Sequence, residues 1–279
     1  NKFYSFANGA WFSETKTNMM NPAGKGFIIR VPKPNIPYTN GKDIWSGPTH
    51  IQKVEFEGKP NNGLINIPVP AADKYNLIGN PYPSAMDADL FITNAINKDL
   101  MTGALYFWTH NTGISDNGSA YVYSSNDYAV YTLTGGTSGT PVKTPAGSGG
   151  PAPSGQIAAG VAFFVKSTKA GSFEFNNSMR ISSSSSNSQF FKQSNTKKTA
   201  SVEKSRVWLN LSNSDGIFKQ TLVGYIAGAS NDLDKLYDGA TFAGNTYVDF
   251  YSINNGKNLV IQGRELPFLP MDKVPLGFK

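Results

Sequence analysis

Short apolar and aromatic runs, separated by turn residues, recur along the whole chain. Several runs alternate apolar and polar positions, as in VEFEG and SFEFNN, which is typical of half-buried β-strands. The strand-like segments before residue 185 are GKGFIIRVP, HIQKVEFEGKPNNGLINIPV, ALYFWTHNT, YVYSSNDYAVYTL, VAFFVKST and GSFEFNNSMRI, and those after residue 203 are SRVWLNLSN, QTLVGYIAG, TYVDFYSINN and NLVIQGRELPF. The pattern predicts an all-β protein.

One segment, SAMDADLFITNAI, favours a helix. Ser84 is placed to cap it, and Asp87 follows three residues later, as in a capping box. Leu90, Phe91 and Ile96 would form its apolar stripe. We therefore expect at most one or two short helices.

Two stretches divide the chain. Residues 134–156 are so rich in Gly, Pro, Ser and Thr that they predict a mobile surface loop. The serine-rich stretch SSSSSNSQFFKQSNTKK is typical of a linker. We predict a first β-rich module over 1–190, a linker over 191–202 and a second β module over 203–279, each packed as a β-sandwich or jelly roll.

A rigid corner, Gly79-Asn80-Pro81-Tyr82-Pro83, interrupts the segment LIGNPYPSAMDADLFI, which begins like an interior strand. The prolines fix φ near −65° and push the preceding residues into extended conformations. Gly79 and Asn80 are predicted to take turn conformations, with Tyr82 as an apolar plug. The corner is interpreted as architecture, although its rim remains open to a binding role.

Composition narrows the chemistry. The absence of Cys excludes disulfides, thiol catalysis and cysteine metal sites. The net charge of +6 is spread along the chain apart from Lys192, Lys197 and Lys198, which lie in the linker and indicate a solvated tether. We therefore predict no nucleic-acid partner. No apolar run approaches the roughly 20 residues of a membrane-spanning helix.

Candidate catalytic residues are few. His50 and His110 are the only histidines, and no G-x-S-x-G motif accompanies them. Asp87 and Asp89 are two residues apart and diverge on a helix, so stabilisation of the helix start explains them better than a glycosidase pair. The sequence favours a protein that is not an enzyme.

The segment GASNDLDKLYDG, residues 228–239, is the candidate metal site. Asn231, Asp232, Asp234 and Asp238 carry oxygen ligands of the kind that Ca²⁺ takes, although the EF-hand spacing is absent. The alternative is a loop rich in Asx turns.

Aromatic residues such as Trp45, Tyr82, Tyr121 and Tyr123 could stack on sugars if exposed. The alternative is that they are half-buried sheet residues.

Longer phrases carry a family resemblance. NLIGNPYPSAMDADLFI, SSNDYAVYTLTGG, IAAGVAFFVKS, VWLNLSNSDGIFKQTLVGYIAGASNDLDKLYDG and LVIQGRELPF together resemble a region of large Bacteroidota cell-surface proteins of the adhesin or gliding type. In that family the region stands before a C-terminal sorting domain that the type IX secretion system reads. The resemblance implies export, surface display and adhesion, and it implies no catalytic residues. The sequence ends at Lys279 without a sorting domain, so we expect a fragment or a processed form.

Taken together, these patterns predict a non-enzymatic cell-surface or secreted module of a type IX secretion substrate. It would be extracellular or at the outer-membrane surface, and would contact the secretion machinery through a sorting domain outside this sequence. Its ligands would be surface glycans or other surface proteins. The alternative is a carbohydrate-binding module of a secreted polysaccharide-degrading enzyme.

Overall fold

The computed structural model describes residues 3–15, 22–29, 57–109, 128–139, 152–183, 187, 204–214, 217–241 and 248–279, and only the backbone at 115–116 and 121–122. Its strands are β1 (Phe3–Ala7), β2 (Ala10–Ser13), β3 (Phe27–Ile29), β4 (Ile65–Val69), β5 (Tyr75–Gly79), β6 (Met86–Asp87), β7 (Met101–Trp108), β8 (Ser115–Asp116), β9 (Tyr121–Val122), β10 (Tyr128–Thr132), β11 (Gly135–Thr137), β12 (Gln156–Ile157), β13 (Ala162–Ser167), β14 (Gly171–Phe175), β15 (Lys204–Ser212), β16 (Phe218–Ile226), β17 (Gly239–Ala240), β18 (Phe250–Asn254), β19 (Lys257–Arg264) and β20 (Leu276–Phe278). The described helices are α1 (Ala88–Thr93), α2 (Asn97–Leu100) and a short 3-10 helix (Asn177–Met179). The all-β prediction is confirmed.

A five-stranded antiparallel sheet lies at the centre, in the order β11-β10-β7-β13-β5. Successive side chains of a strand point to opposite faces of a sheet. In this sheet the side chains on both faces are buried. In β7, Leu105 and Phe107 join one hydrophobic cluster and Ala104 and Tyr106 join another. The central sheet therefore separates two cores.

The first core is closed by α1, α2 and the antiparallel pair β4–β14. Phe91 of α1 is fully buried and packs against Phe163 and Phe175, with ring centroids 5.5 and 4.9 Å apart. Helix α1 begins after Asp87, whose side chain accepts hydrogen bonds from the backbone N–H groups of Asp89 and Leu90. This cap keeps a helix of six residues in place.

Two details of the predicted helix are wrong. Ser84 is not the cap, because its hydroxyl accepts a hydrogen bond from Nε of Arg180 and lies outside the helix. Leu90 and Ile96 are 46% and 47% exposed, and the buried face is formed by Phe91 and Ile92. A helix this short takes its buried face from the sheet it packs on rather than from its own periodicity.

The second core lies between the central sheet and the sheet formed by the C-terminal strands. That sheet has the order β15-β16-β19-β18-β20, with β17 paired to β19. Leu222, Val260 and Ile261 pack in one cluster with Tyr106 and Phe164 of the central sheet. The predicted linker, 191–202, lies outside the described residues, and the segments on its two sides share this core. The division into two modules stays a prediction.

A small sheet, β2-β1-β3, covers the edge of the same core. Asn8 and Gly9 between β1 and β2 both have positive φ, 52° and 79°, as a tight hairpin turn requires. Phe6 packs edge-to-face on Phe164, with ring centroids 5.3 Å apart.

The corner at 79–83 is architecture held by a side chain. Asn80 is buried, and its amide donates hydrogen bonds to the carbonyls of Ser84, Ile157 and Ala158. Tyr82 is also buried, and its hydroxyl donates to the carbonyl of Gly63. The predicted turn conformation of Gly79 is wrong, because this residue continues β5 opposite Ala162 and its φ lies outside the left-handed region.

The ends of the predicted mobile loop 134–156 are also ordered structure. Residues Gly135–Thr137 form the buried strand β11, and Gln156 begins β12. Trp208 donates a hydrogen bond from Nε1 to the carbonyl of Gly136. Glycine-rich sequence serves close backbone packing here rather than flexibility. Residues 140–151 lie outside the described part of the chain.

Within the described residues, no helix combines the length and the apolar character needed to cross a membrane.

Candidate ligand-binding cleft

An open cleft of about 370 Å³ lies beside the second core, where the central sheet meets the C-terminal sheet. Three parts of the chain form its wall: Tyr75, Thr102, Tyr106 and Lys166 from the central sheet; Leu233, Asp234, Lys235 and Asp238 from the loop before β17; and Ala240, Lys257, Asn258 and Leu259 from β17 and β19. Its volume lies within the range of about 300–1,000 Å³ that is usual for small-molecule sites.

Two tyrosines lie in the wall of the cleft. The rings of Tyr75 and Tyr106 meet edge-to-face, with centroids 5.7 Å apart. Burial raises the pKa of Tyr75 and raises the pKa of Tyr106 well above the ordinary value, so both phenols stay protonated at neutral pH. The hydroxyl of Tyr106 lies 3.4 Å from the carbonyl oxygen of Ala240 and donates to it. Tyr106 is only 2% exposed, whereas Tyr75 is half-buried, so Tyr75 supplies the ring that a ligand can reach.

The loop at residues 227–238, here called the cleft loop, is fixed to the central sheet through its backbone. The carbonyl of Tyr237 accepts hydrogen bonds from the hydroxyls of Thr132 and Thr134, at 2.9 and 2.7 Å. Gly103 of β7 has φ +81°, and a Cβ there would lie 2.0 Å from the carbonyl oxygen of Lys235. Close approach of the two backbones therefore requires glycine at this position.

The structure brings together two of the four predicted calcium ligands. Asp234 accepts a hydrogen bond from the backbone N–H of Ser230, and Asp238 accepts from those of Asp234 and Gly263, both at 2.8 Å. These bonds fold the loop on itself and attach it to β19.

The other two predicted ligands point elsewhere. The Asn231 amide donates to Oε1 of Glu265 at 2.6 Å, and Asp232 accepts from the Asn255 amide at 3.4 Å. Across the described ranges, no group of three or more His, Asp or Glu side chains is placed to hold a metal. Calcium binding stays a prediction of the sequence, and the hydrogen bonds give the acidic side chains a role in shaping the loop.

Asp238 is the most buried acid of the cleft, with 8% of its surface exposed. Burial raises the pKa of its carboxyl to about 6, although hydrogen bonds from two backbone N–H groups counteract part of that effect. The carboxylate is still mostly ionised at neutral pH.

Three lysines surround these groups. Lys166 pairs with Asp73, with Nζ 3.4 Å from Oδ1, and the side chain of Asp73 is 82% exposed. Lys235 lies on the cleft loop, where burial lowers its pKa. Lys257 follows the tight turn at Asn255 and Gly256, and its side chain is exposed. The lining of the cleft therefore carries three basic and two acidic side chains, and the two aspartates also accept backbone hydrogen bonds.

The other predicted functional residues lie elsewhere or outside the described part. Asp87 caps α1, and Asp89 accepts a hydrogen bond from the hydroxyl of Tyr131 at 2.7 Å. Tyr82 is buried in the corner and offers no face to a sugar. Outside the described residues lie His50, His110, Trp45 and Tyr123, and at Tyr121 only the backbone is described.

Sequence reasoning missed Tyr75, Tyr106, Lys166 and Lys257. Tyr75 and Lys166 are 91 residues apart and become neighbours only because β5 pairs with β13 in one register. No local pattern marks such a pair, since register is a tertiary property.

The chain matches, over residues 1–279, a family described as a domain of unknown function, DUF8693. The chain belongs to this family. No curated protein and no solved structure matches the chain. The family description names no activity, so a function for this member has to be argued from the cleft.

Proposed function

We propose that the protein is a non-enzymatic adhesion module of a secreted or cell-surface protein, and that the cleft binds a surface glycan. The observation that carries the proposal is the composition of the cleft wall. It joins the half-buried Tyr75 ring to side chains that donate hydrogen bonds, among them Asn258 and Lys257. Sugars present apolar ring faces and many hydroxyls, so they match such a surface.

The cleft is also preformed. Its floor belongs to packed sheets, and its loop is held by Thr132, Thr134 and the close contact at Gly103. A rigid site loses little conformational entropy when a ligand binds, which favours recognition by a modest number of contacts.

The sequence resemblance supports the setting of the proposal. Relatedness to Bacteroidota surface proteins would place the chain outside the cell, exported by the type IX machinery. A carbohydrate-binding module of a polysaccharide-degrading enzyme would use the same cleft. The full-length reading frame separates these two settings, because a catalytic domain would be visible in it.

Glycan-array screening followed by calorimetry tests the binding. We expect the wild-type chain to bind at least one class of surface glycan, and Tyr75→Ala together with Asn258→Ala to weaken that binding. Asn66→Ala is the matched control, because Asn66 is an exposed strand residue on the pair β4–β14, which covers the other face of the central sheet. The proposal fails if no glycan binds, or if the cleft variants bind as tightly as the control.

Surface display is tested separately. A tagged full-length protein in a host with type IX secretion should be labelled on intact cells. Labelling that appears only after permeabilisation would contradict the proposed location.

A further inference from the structure

The charges of the cleft point to a narrower class of ligand. We infer that the cleft binds anionic glycans, whose carboxylate or sulfate groups pair with Lys166, Lys235 and Lys257. This inference rests on the proposed function and adds the chemistry by which the ligand is selected.

The two aspartates of the cleft keep their negative charge, but the three lysines outnumber them. Asp238 accepts backbone N–H groups at both carboxylate oxygens, and Asp234 accepts one from Ser230. These hydrogen bonds turn carboxylate oxygens toward the backbone of the loop and of β19. The three ammonium groups are then the main charged partners that the cleft can give to a ligand.

Each lysine can be recruited at small cost. The pair between Lys166 and Asp73 is open to solvent on the aspartate side, so it contributes little and a ligand anion can replace it. Among the described residues, no ion pair or side-chain hydrogen bond engages the ammonium of Lys257. Burial lowers the pKa of Lys235, and a bound anion would raise that pKa, because an opposite charge favours the ammonium form.

The positions of the three lysines around the cleft also favour an anionic polymer. Lys166 belongs to the central sheet, Lys235 to the cleft loop and Lys257 to β19, so the three lysines come from three separate elements around one cavity. Such an arrangement can contact more than one anionic group of a polymer, which a single basic strand or helix face would do less well.

The net positive charge of the chain could by itself explain binding to anionic glycans. A chain with a formal charge of +6 attracts any polyanion weakly, wherever its lysines lie. The experiment must therefore compare variants of equal charge. Lys166→Glu with Lys257→Glu changes the cleft, whereas Lys59→Glu with Lys273→Glu makes the same change at two exposed lysines outside it.

Binding is measured by calorimetry with four polymers at one salt concentration. Polygalacturonate carries carboxylates, dextran sulfate carries sulfates, dextran is the neutral match of dextran sulfate, and polyglutamate is a polyanion without sugar. We expect the wild-type chain to bind one or both anionic glycans and to bind dextran and polyglutamate more weakly by about tenfold or more.

The cleft double variant should weaken binding to the anionic glycan about tenfold, and the control double variant by less than about threefold. Lys166→Arg with Lys257→Arg should retain binding, because the charge is kept. Equal weakening by both charge-reversed variants, or equal binding of polyglutamate, would overturn the inference. Tight binding of neutral dextran through the cleft would overturn it while leaving the proposed function intact, whereas a wild-type chain that binds no glycan refutes both.

Discussion

Asn80 illustrates how one side chain can replace a stretch of secondary structure. Pro81 and Pro83 have no backbone N–H groups to donate, so the corner cannot satisfy its neighbours through its own backbone. The Asn80 amide donates to three carbonyls, at 2.8, 3.0 and 3.2 Å, and its oxygen accepts the N–H of Tyr82 at 3.0 Å. One buried side chain therefore makes four hydrogen bonds that hold the corner, alongside those made by Tyr82 and Asn61.

Removal of this amide should be costly. We expect Asn80→Ala to lower the free energy of unfolding by about 2–4 kcal/mol, because several buried backbone groups lose their partner. Urea denaturation measures the change. Asn61→Ala is the control, since Asn61 is exposed and makes one hydrogen bond, to the carbonyl of Pro81, so its loss should cost about 1 kcal/mol or less. Equal effects of the two substitutions would refute the role given to Asn80.

Asp238 makes the stability of the folded protein depend on pH, and the direction of that dependence follows from its pKa. Its pKa in the folded state, about 6, is above the ordinary aspartate value, so the folded state holds the proton more tightly than the unfolded state does. Its contribution to stability is therefore greatest below about pH 4, falls as the pH rises to about 6, and is constant above that.

Asp238→Asn should remove this dependence. We expect the difference in unfolding free energy between wild type and Asp238→Asn to shift by no more than about 2–3 kcal/mol, against the wild type, as the pH rises from about 4 to 7. Urea denaturation of both proteins across this range measures it. Other carboxyls titrate in both proteins, so their contributions cancel in this difference. One of them is Asp272, whose pKa is lowered by its hydrogen bonds with Arg264. A difference independent of pH would contradict the assignment.

At the scale of the element, the cleft loop joins the two sheets and forms one side of the candidate site. Its backbone contacts with β7 and β10 set its position, and its aspartates set its internal shape. Any change in these contacts should therefore affect stability and ligand binding together.

Gly103→Ala tests the close contact with Lys235. A Cβ at this position clashes with backbone, which cannot move aside as a flexible side chain can. Gly160→Ala is the matched control, because Gly160 also has positive φ, +73°, but no atom lies within 4 Å of the added Cβ. We expect the control to cost about 1–2 kcal/mol and Gly103→Ala to cost about 1–3 kcal/mol more. Equal losses in thermal or urea unfolding would show that the approach is looser than described.

Calcium binding by the same loop can be tested directly. Because Asp234 and Asp238 accept backbone N–H groups, we expect the melting temperature to be the same with calcium and with chelator. A site that binds calcium would instead gain about 2.7 kcal/mol at a hundredfold excess over the dissociation constant. A calcium-dependent rise that Asp234→Asn abolishes would therefore establish the metal site and overturn our expectation.

At the scale of the whole molecule, the second core joins segments that the sequence separates. Leu222 of β16 is fully buried in a cluster with Val130 and Phe164, which precede the predicted linker. Residues that share a core unfold together when neither side can keep its apolar surface buried alone.

We therefore expect a single cooperative unfolding transition, with equal calorimetric and van't Hoff enthalpies. Leu222→Ala should lower the free energy of unfolding by about 2–5 kcal/mol and move the whole transition. Val207→Ala on β15 is the control, because Val207 is 53% exposed and its truncation should cost less than about 1 kcal/mol. Two separate calorimetric transitions, with only one moved by Leu222→Ala, would show that the modules unfold independently.

Local patterns in the sequence determined much of the fold. Alternating apolar residues predicted the all-β class. The segment SAMDADLFITNAI predicted a helix, of which the structure places α1 at Ala88–Thr93, and Tyr82 was correctly predicted to plug its corner. These features depend on neighbours within a few residues, so their causes are present in the sequence itself.

Tertiary structure alone decided the choice of Asp87 over Ser84 as the helix cap, the buried strand inside a glycine-rich segment, and the partners of the acidic loop. It also placed Tyr75, Lys166 and Lys257 around one cleft. The physical reason is that each of these features depends on strand register or sheet packing between residues far apart in the chain. The amino-acid types determined which side chains can bind a ligand or be buried in a core. Long-range packing determined which of these side chains contact one another.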